Sequence, residues 1–162
     1  MRQRWVVVLC WCLVLCGVQR EAAAAVWEGV VTRVIDGDSL RIKRGARLVH
    51  VRLYGIDSPE YGQPCWREAR DGAKALTLGK KVRVESMDQD RYGRTVALVS
   101  YRGQLINAEM VGRGLAWVYH RYCTFQPLCG RLDALEETAR SRRAGIWREQ
   151  RPVPPWKWRH GK

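Results

Sequence analysis

The chain has 162 residues, with 29 Lys and Arg against 16 Asp and Glu, and therefore a net charge of +13 at pH 7. This length fits one domain with its own hydrophobic core and excludes a large multidomain assembly within the chain. Such an excess of positive charge says little about fold. It favours a polyanion or an anionic membrane surface as partner.

The first 25 residues are interpreted as a secretory signal. Arg2 and Arg4 precede an apolar run over residues 5–18, and small residues follow up to Ala25, after which we expect cleavage. A buried helix and a membrane anchor are the alternatives, but the apolar run is short for a membrane span. We therefore expect an exported protein, located in the periplasm or secreted.

Three cysteines remain after removal of the signal. In an oxidising compartment the short spacing between Cys123 and Cys129 favours a disulfide, which would leave Cys65 as the odd thiol. His120 lies close to this pair and suggests zinc as an alternative. The chain has no C-x-x-C pair, so the zinc interpretation is not favoured.

Strands and helices alternate in a pattern typical of a small barrel. Turn residues bound five predicted strands, at residues 26–34, 39–43, 47–56, 81–87 and 94–101. Helical signals follow the third strand and the fifth strand, at residues 65–78, 105–114 and 128–145. We predict an α+β, mainly β fold: a five-stranded barrel of the OB type with about three helices, over residues 26–150.

The C-terminal segment RPVPPWKWRHGK, residues 151–162, contains three prolines and two tryptophans without periodicity. It is interpreted as an extended basic tail outside the barrel. Tryptophan and cations together could also dock on anionic lipid, which is the basis of an alternative interpretation as an envelope protein.

Carboxylates and arginines cluster around VRLYGIDSPE, residues 51–60. Arg52 lies on the third strand, on the face predicted for Tyr54 and Ile56, and a buried arginine needs a partner. If the first hairpin brings Asp38 beside Asp57, two hard oxygen donors meet, as Ca²⁺ requires. Glu60 could then reach a water on that ion.

A second arginine, Arg94, begins the fifth strand in DRYGRTVALV. The turn at Tyr92 and Gly93 would aim its guanidinium inward. Two guanidinium groups and one Ca²⁺ would offset the charge that develops on an attacked phosphate.

The motifs IDGDSL, VRLYGIDSPE, DRYGR and GLAWVY stand in the order and at the spacings of the staphylococcal nuclease family, which the chain resembles over residues 30–147. The resemblance implies calcium ligation by Asp38, by Asp57 and by the main-chain carbonyl of Ser58. The group implied for catalysis is Arg52, Glu60 and Arg94. The aromatic residues implied for base stacking are Tyr92, Tyr119 and Tyr122.

The implied activity is calcium-dependent hydrolysis of phosphodiesters in DNA, RNA or both, leaving 3′-phosphate ends. An open barrel face favours single strands, whose bases can stack on exposed rings. We expect a monomer without a stable protein partner. The alternative is an OB-fold module that binds nucleic acid without cleaving it; retention of both arginines and of Glu60 argues against this alternative.

Overall fold

The computed structural model describes residues 25–161, so the predicted signal lies outside the described residues except for Ala25. This described part of the chain contains eight strands: β1 (Val26–Val34), β2 (Ser39–Arg44), β3 (Arg47–Leu53), β4 (Ile56–Asp57), β5 (Lys81–Gln89), β6 (Thr95–Tyr101), β7 (Gln104–Leu105) and β8 (Trp117–Val118). The helices are α1 (Trp66–Thr77), α2 (Ile106–Gly112), α3 (Leu128–Ser141) and α4 (Pro155–Trp158), with a 3-10 helix at Gly145–Arg148.

The five long strands close into a barrel, as predicted. Strand order is β3-β2-β1-β5-β6, and β6 also pairs with β3. That closing pair is parallel, with Val51 opposite Thr95 and Arg52 opposite Val96. Closure removes the free strand edges and places the start of β6 beside the end of β3.

The predicted third strand, residues 47–56, is interrupted in the structure. Strand β3 ends at Leu53, and Gly55 takes a positive φ of 74°. A Cβ at Gly55 would lie 2.9 Å from Sγ of Cys123, so only glycine permits this approach. The chain then enters β4, which pairs with β8 through Asp57 and Trp117. The break therefore places Asp57 in a second, two-stranded sheet.

The barrel interior is apolar. Its fully buried side chains include Val31, Leu40, Ile42, Val51, Val82, Val84, Ala97 and Val99. Helix α3 packs Leu128, Leu132 and Leu135 against the same core, with Leu132 fully buried. On α3, Glu136 pairs with Arg140 at 2.9 Å and accepts the main-chain N–H of Val118, so this ion pair also positions β8.

The C-terminal tail differs from the expectation of an extended segment, because residues Pro155–Trp158 form a helical turn. Main-chain N–H groups of Lys157 and Trp158 both donate to the carbonyl of Pro154. A four-residue turn is too short to show periodicity in the sequence. The division into a domain of residues 26–150 and a tail remains a prediction. No helix within residues 25–161 is long and apolar enough to cross a membrane.

Candidate active site

The turn between β1 and β2 carries Asp38 to the end of β3. The main-chain N–H of Leu53 donates to the carbonyl of Asp38 at 2.8 Å. Gly37 allows close approach of this turn to the segment after β4, since a Cβ there would lie 2.7 Å from Cβ of Ser58. One carboxylate oxygen of Asp38 accepts the N–H of Ser58 at 2.6 Å, and the other accepts the Ser39 hydroxyl.

Arg52 holds the two predicted metal-binding carboxylates together. Its guanidinium contacts Asp38 at 3.1 Å and also donates to Asp57. Burial alone would lower the pKa of Arg52, but the charges of Asp38 and Asp57 raise it above its ordinary value. The predicted approach of the hairpin to the end of the third strand is thus present, and Arg52 bridges it.

Asp57 is fully buried and lies between two arginines. Arg52 contacts one of its oxygens, and Arg159 of the C-terminal tail contacts both, at 2.8 and 3.3 Å. Burial and the charge of Asp38 raise the pKa of Asp57, while Arg159 and Arg52 oppose the rise. A buried carboxylate of this kind requires compensation by cations or hydrogen bonds.

Glu60 lies at the rim of the same site, with 37% of its side chain exposed. Its carboxylate contacts Arg159, and its main-chain N–H donates to Oε1 of Gln63 at 3.0 Å. Glu60 therefore shares a cation with Asp57, which places the predicted water-handling carboxylate beside the predicted metal ligands.

Arg94 is held away from this cluster. It directly precedes β6, but its guanidinium pairs with Asp90 at 2.7 Å and lies over the Tyr92 ring, 5.6 Å from the centroid. Asp90 also accepts the main-chain N–H groups of Tyr92 and Arg94. The structure thus brings Arg52, Asp38, Asp57 and Glu60 together, and leaves Arg94 at the neighbouring hairpin.

The predicted stacking residues lie in different environments. Tyr92 and Tyr122 are 70% and 56% exposed, whereas Tyr119 is half-buried. The Tyr119 ring stacks on Trp156 of the tail and meets Tyr122 edge-on. Cys123 and Cys129 form a disulfide immediately after this segment, with Cα atoms 5.7 Å apart.

Sequence reasoning missed two members of the site, Asp36 and Arg159. Asp36 accepts the main-chain N–H of Asp38, and burial together with the Asp38 charge raises its pKa to about 7. The motif IDGDSL contains Asp36, but an aspartate before glycine is equally typical of a tight turn. Nothing in the sequence placed Arg159, because it lies 102 residues from Asp57.

The donor set fits a hard divalent cation. Asp38 and Asp57 supply carboxylate oxygens, and Ser58 is fixed between them by its bond to Asp38. Oxygen ligands of this type suit Ca²⁺, with waters completing the shell. Within residues 25–161 no group of three or more His, Cys, Asp or Glu side chains has the arrangement of a metal centre. The candidate site therefore depends on two carboxylates and main-chain oxygen.

Comparison with known proteins shows that the chain is similar to nucleases over most of its length. The family model described as "Staphylococcal nuclease homologue" matches residues 50–149. An "Uncharacterized endonuclease" of Escherichia coli O157:H7 is 42% identical over 136 residues, covering 83% of this chain and 86% of the relative. A "Micrococcal nuclease" of Shigella flexneri is 38% identical over 146 residues, covering 85% and 83%. The extent of these matches, together with the barrel, shows that the chain belongs to the staphylococcal nuclease family.

Proposed function

We propose that the chain is a calcium-dependent nuclease that hydrolyses phosphodiester bonds in DNA, RNA or both. The observation that carries the proposal is the contact of Arg52 with both Asp38 and Asp57, with Glu60 beside them. The family and the endonuclease and micrococcal nuclease names of its relatives support the same class of reaction. By the same family resemblance, the products would carry 3′-phosphate ends.

Asp38, Asp57 and the Ser58 carbonyl would hold the ion. When bound, Ca²⁺ supplies a Lewis acid for the phosphate and a positive charge near the attacking water. Glu60 accepts a proton from that water or orients it. Arg52 donates hydrogen bonds to a phosphate oxygen, and its fixed position lets it stabilise added charge without rearrangement.

Arg94 supplies the second guanidinium in this proposal. Arg94 pairs with the single carboxylate of Asp90, and both side chains keep contact with solvent, at 22% and 20% exposed, so a phosphate can compete for the guanidinium. Arg94 would then donate to the phosphate from the side of β6. To reach the phosphate, Arg94 must leave Asp90. Arg52 needs no such movement, because it already contacts the carboxylate cluster.

Single strands are the proposed preferred substrate. Tyr92 and Tyr122 expose rings on which bases can stack at about 1–3 kcal/mol each. The net charge of +13 supports binding of a polyanion. The disulfide between Cys123 and Cys129 supports export, and we propose that the enzyme acts as a monomer in the periplasm or outside the cell.

The direct test incubates the purified protein with single-stranded DNA, duplex DNA and RNA, with Ca²⁺ and with chelator. Cleavage that requires Ca²⁺ and yields 3′-phosphate ends is expected, fastest on single strands. Binding without cleavage at every calcium concentration would overturn the proposal in favour of a binding module. Equal rates on native and heat-denatured duplex would overturn the strand preference alone.

A further inference from the structure

The tail after the 3-10 helix runs directly over the candidate active site. Nε2 of Gln63 donates to the carbonyl of Val153, and Oε1 of Gln63 accepts the N–H of Glu60. One glutamine side chain thus ties the tail to the segment that carries the proposed water-handling carboxylate. Gln63 and Val153 lie 90 positions apart in the sequence, and the hydrogen bond between them joins the tail to the active site.

Helix α4 places an aromatic ring where a nucleic-acid base is expected. Trp156 lies parallel to Tyr119, with centroids 4.8 Å apart and an angle of 5° between the planes. Tyr122 meets Tyr119 edge-on at 4.9 Å. A flat ring on Tyr119 is the geometry that base stacking requires, and Trp156 already provides one.

Three residues further on, the tail places a cation where the metal is expected. Arg159 contacts both oxygens of Asp57 and also Glu60. A guanidinium remains protonated at any relevant pH, so Arg159 brings a full positive charge to these carboxylates. A cation fixed on Asp57 repels a divalent ion and occupies the oxygens that would ligate it.

We propose that residues 152–161 are an intramolecular competitor that holds the enzyme in an autoinhibited state until calcium and nucleic acid displace it. The proposal rests on the proposed function, because it treats Asp57 as a metal ligand and Tyr119 as a stacking surface. The tail presents both features of the bound state together: a ring on Tyr119 and a positive charge on Asp57.

The tether makes such competition effective. A segment on a short connection is present at its site at a millimolar effective concentration without any tight contact. A tail that is docked for about 90% of the time lowers the apparent calcium affinity about tenfold, because only the open fraction binds. Undocking the tail should therefore raise the calcium affinity by about this factor.

The experiment is calorimetric titration with calcium chloride, without nucleic acid, of four proteins: wild type, Arg159→Ala, Trp156→Ala and Lys157→Ala. Lys157 is exposed on the same helical turn and forms no ion pair within residues 25–161, so its variant controls for loss of one positive charge. We expect about tenfold tighter binding for the first two variants and wild-type binding for the control.

The Trp156→Ala variant distinguishes the effect of tail docking on calcium affinity from the effect of the Arg159 charge. It leaves every charge of the site in place and removes the ring that stacks on Tyr119 and packs against the cluster of Trp117 and Trp147. Tighter binding by Arg159→Ala alone would reflect the lost charge and would overturn the proposal. If Arg159→Ala fails to fold, Trp156→Ala decides the question by itself.

Amide hydrogen exchange supplies a readout that does not depend on activity. The N–H groups of residues 157–160 donate to carbonyls of the tail itself, so they are protected only while the helical turn persists. Saturating Ca²⁺ should speed exchange at residues 157–160 in the wild type, while exchange in the barrel strands slows. Unchanged tail exchange would overturn the proposal.

Different experimental outcomes would overturn the proposed function and the tail proposal. Calcium-dependent cleavage by the wild type, with equal calcium affinity in all four proteins, would overturn the tail proposal and leave the proposed function intact. Absence of calcium binding in all four would overturn the calcium-dependent function and the tail proposal with it.

Discussion

Arg52 and Arg94 show two ways in which this fold holds an arginine. Arg52 is 17% exposed and contacts Asp38 and Asp57, both buried, from within a barrel strand. Arg94 lies on a hairpin and pairs with a single, partly exposed aspartate. One guanidinium is therefore part of the structure that creates the carboxylate cluster, whereas the other can leave its partner at low cost.

This difference predicts separate roles within one reaction. Removal of a fixed arginine should damage folding and catalysis together, because the same contacts serve both. Removal of a releasable arginine should damage catalysis alone. Mutations of the two residues therefore test the proposed mechanism more sharply than either mutation does by itself.

The largest effect is expected for Arg52→Ala. It leaves Asp38 without its cation and Asp57 with Arg159 alone, and breaking a buried pair in this way costs about 3–5 kcal/mol of unfolding free energy. Cleavage should fall by about 10²–10³ or more through loss of a preorganised donor. Urea unfolding and cleavage rates on single-stranded DNA measure the two losses.

Arg52→Lys is the matched control. It keeps the positive charge but cannot bridge two carboxylates with a planar fork, so stability should recover in part and cleavage should recover less. An alanine variant as stable as the wild type would contradict the structural role of Arg52.

Arg94→Ala should separate catalysis from folding. The pair with Asp90 involves one partly exposed carboxylate rather than two buried ones, so the unfolding transition should move much less than in Arg52→Ala. The cleavage rate should fall by about 10²–10³, which corresponds to about 2.7–4 kcal/mol of transition-state stabilisation. Arg91→Ala, which removes an exposed neighbouring arginine from the Tyr92 ring, should keep its activity. A fully active Arg94→Ala would refute the assignment.

The sequence predicted the barrel and the cluster for identifiable physical reasons. Alternating apolar strands and turn residues such as Asp36-Gly37-Asp38 are local signals, and they fix where the hairpin meets the third strand. The parallel pairing of β3 with β6 depends on contacts between residues distant in sequence. The break in the strand at Gly55 does so too, because Gly55 lies against Cys123. Local patterns do not carry that information.

The position of Arg159 could not be predicted from the sequence for the same reason. Its partners, Asp57 and Glu60, precede it by about a hundred residues, and a Pro/Trp-rich segment without periodicity gives no indication of where it docks. The disulfide could be predicted because only six positions separate the two cysteines in the sequence. Contacts between residues close in sequence could be predicted, whereas contacts between distant residues could not. The chemical type of the residues made no difference.

A smaller effect is expected for Tyr92→Ala, on the hairpin of Arg94. Its ring is 70% exposed, so its removal costs little stability. Loss of one stacked base should weaken binding of single-stranded DNA by about 1–3 kcal/mol, measured in chelator to prevent cleavage. Phe125→Ala, another exposed ring at 50%, is the control. Unchanged binding by Tyr92→Ala would remove this residue from the substrate site.

The smallest effect concerns Asp90, the residue that holds Arg94. Burial alone would raise the pKa of Asp90, but hydrogen bonds from Arg94 and Tyr92 outweigh it and lower the pKa. The stabilising contribution of Asp90 is therefore present above its ordinary pKa of 3.8 and is lost as pH falls through the lower folded value. Melting temperatures of wild type and Asp90→Asn should differ most near neutral pH and converge in acid.

Activity of Asp90→Asn then decides how Arg94 works. If Arg94 must leave Asp90 to bind phosphate, weakening their pair should leave the cleavage rate unchanged or raise it, while Arg94→Ala abolishes most of it. If Asp90→Asn is instead as inactive as Arg94→Ala, the aspartate orients Arg94 during catalysis. The hairpin arginine would then be a fixed group like Arg52, and the distinction between the two sites would not hold.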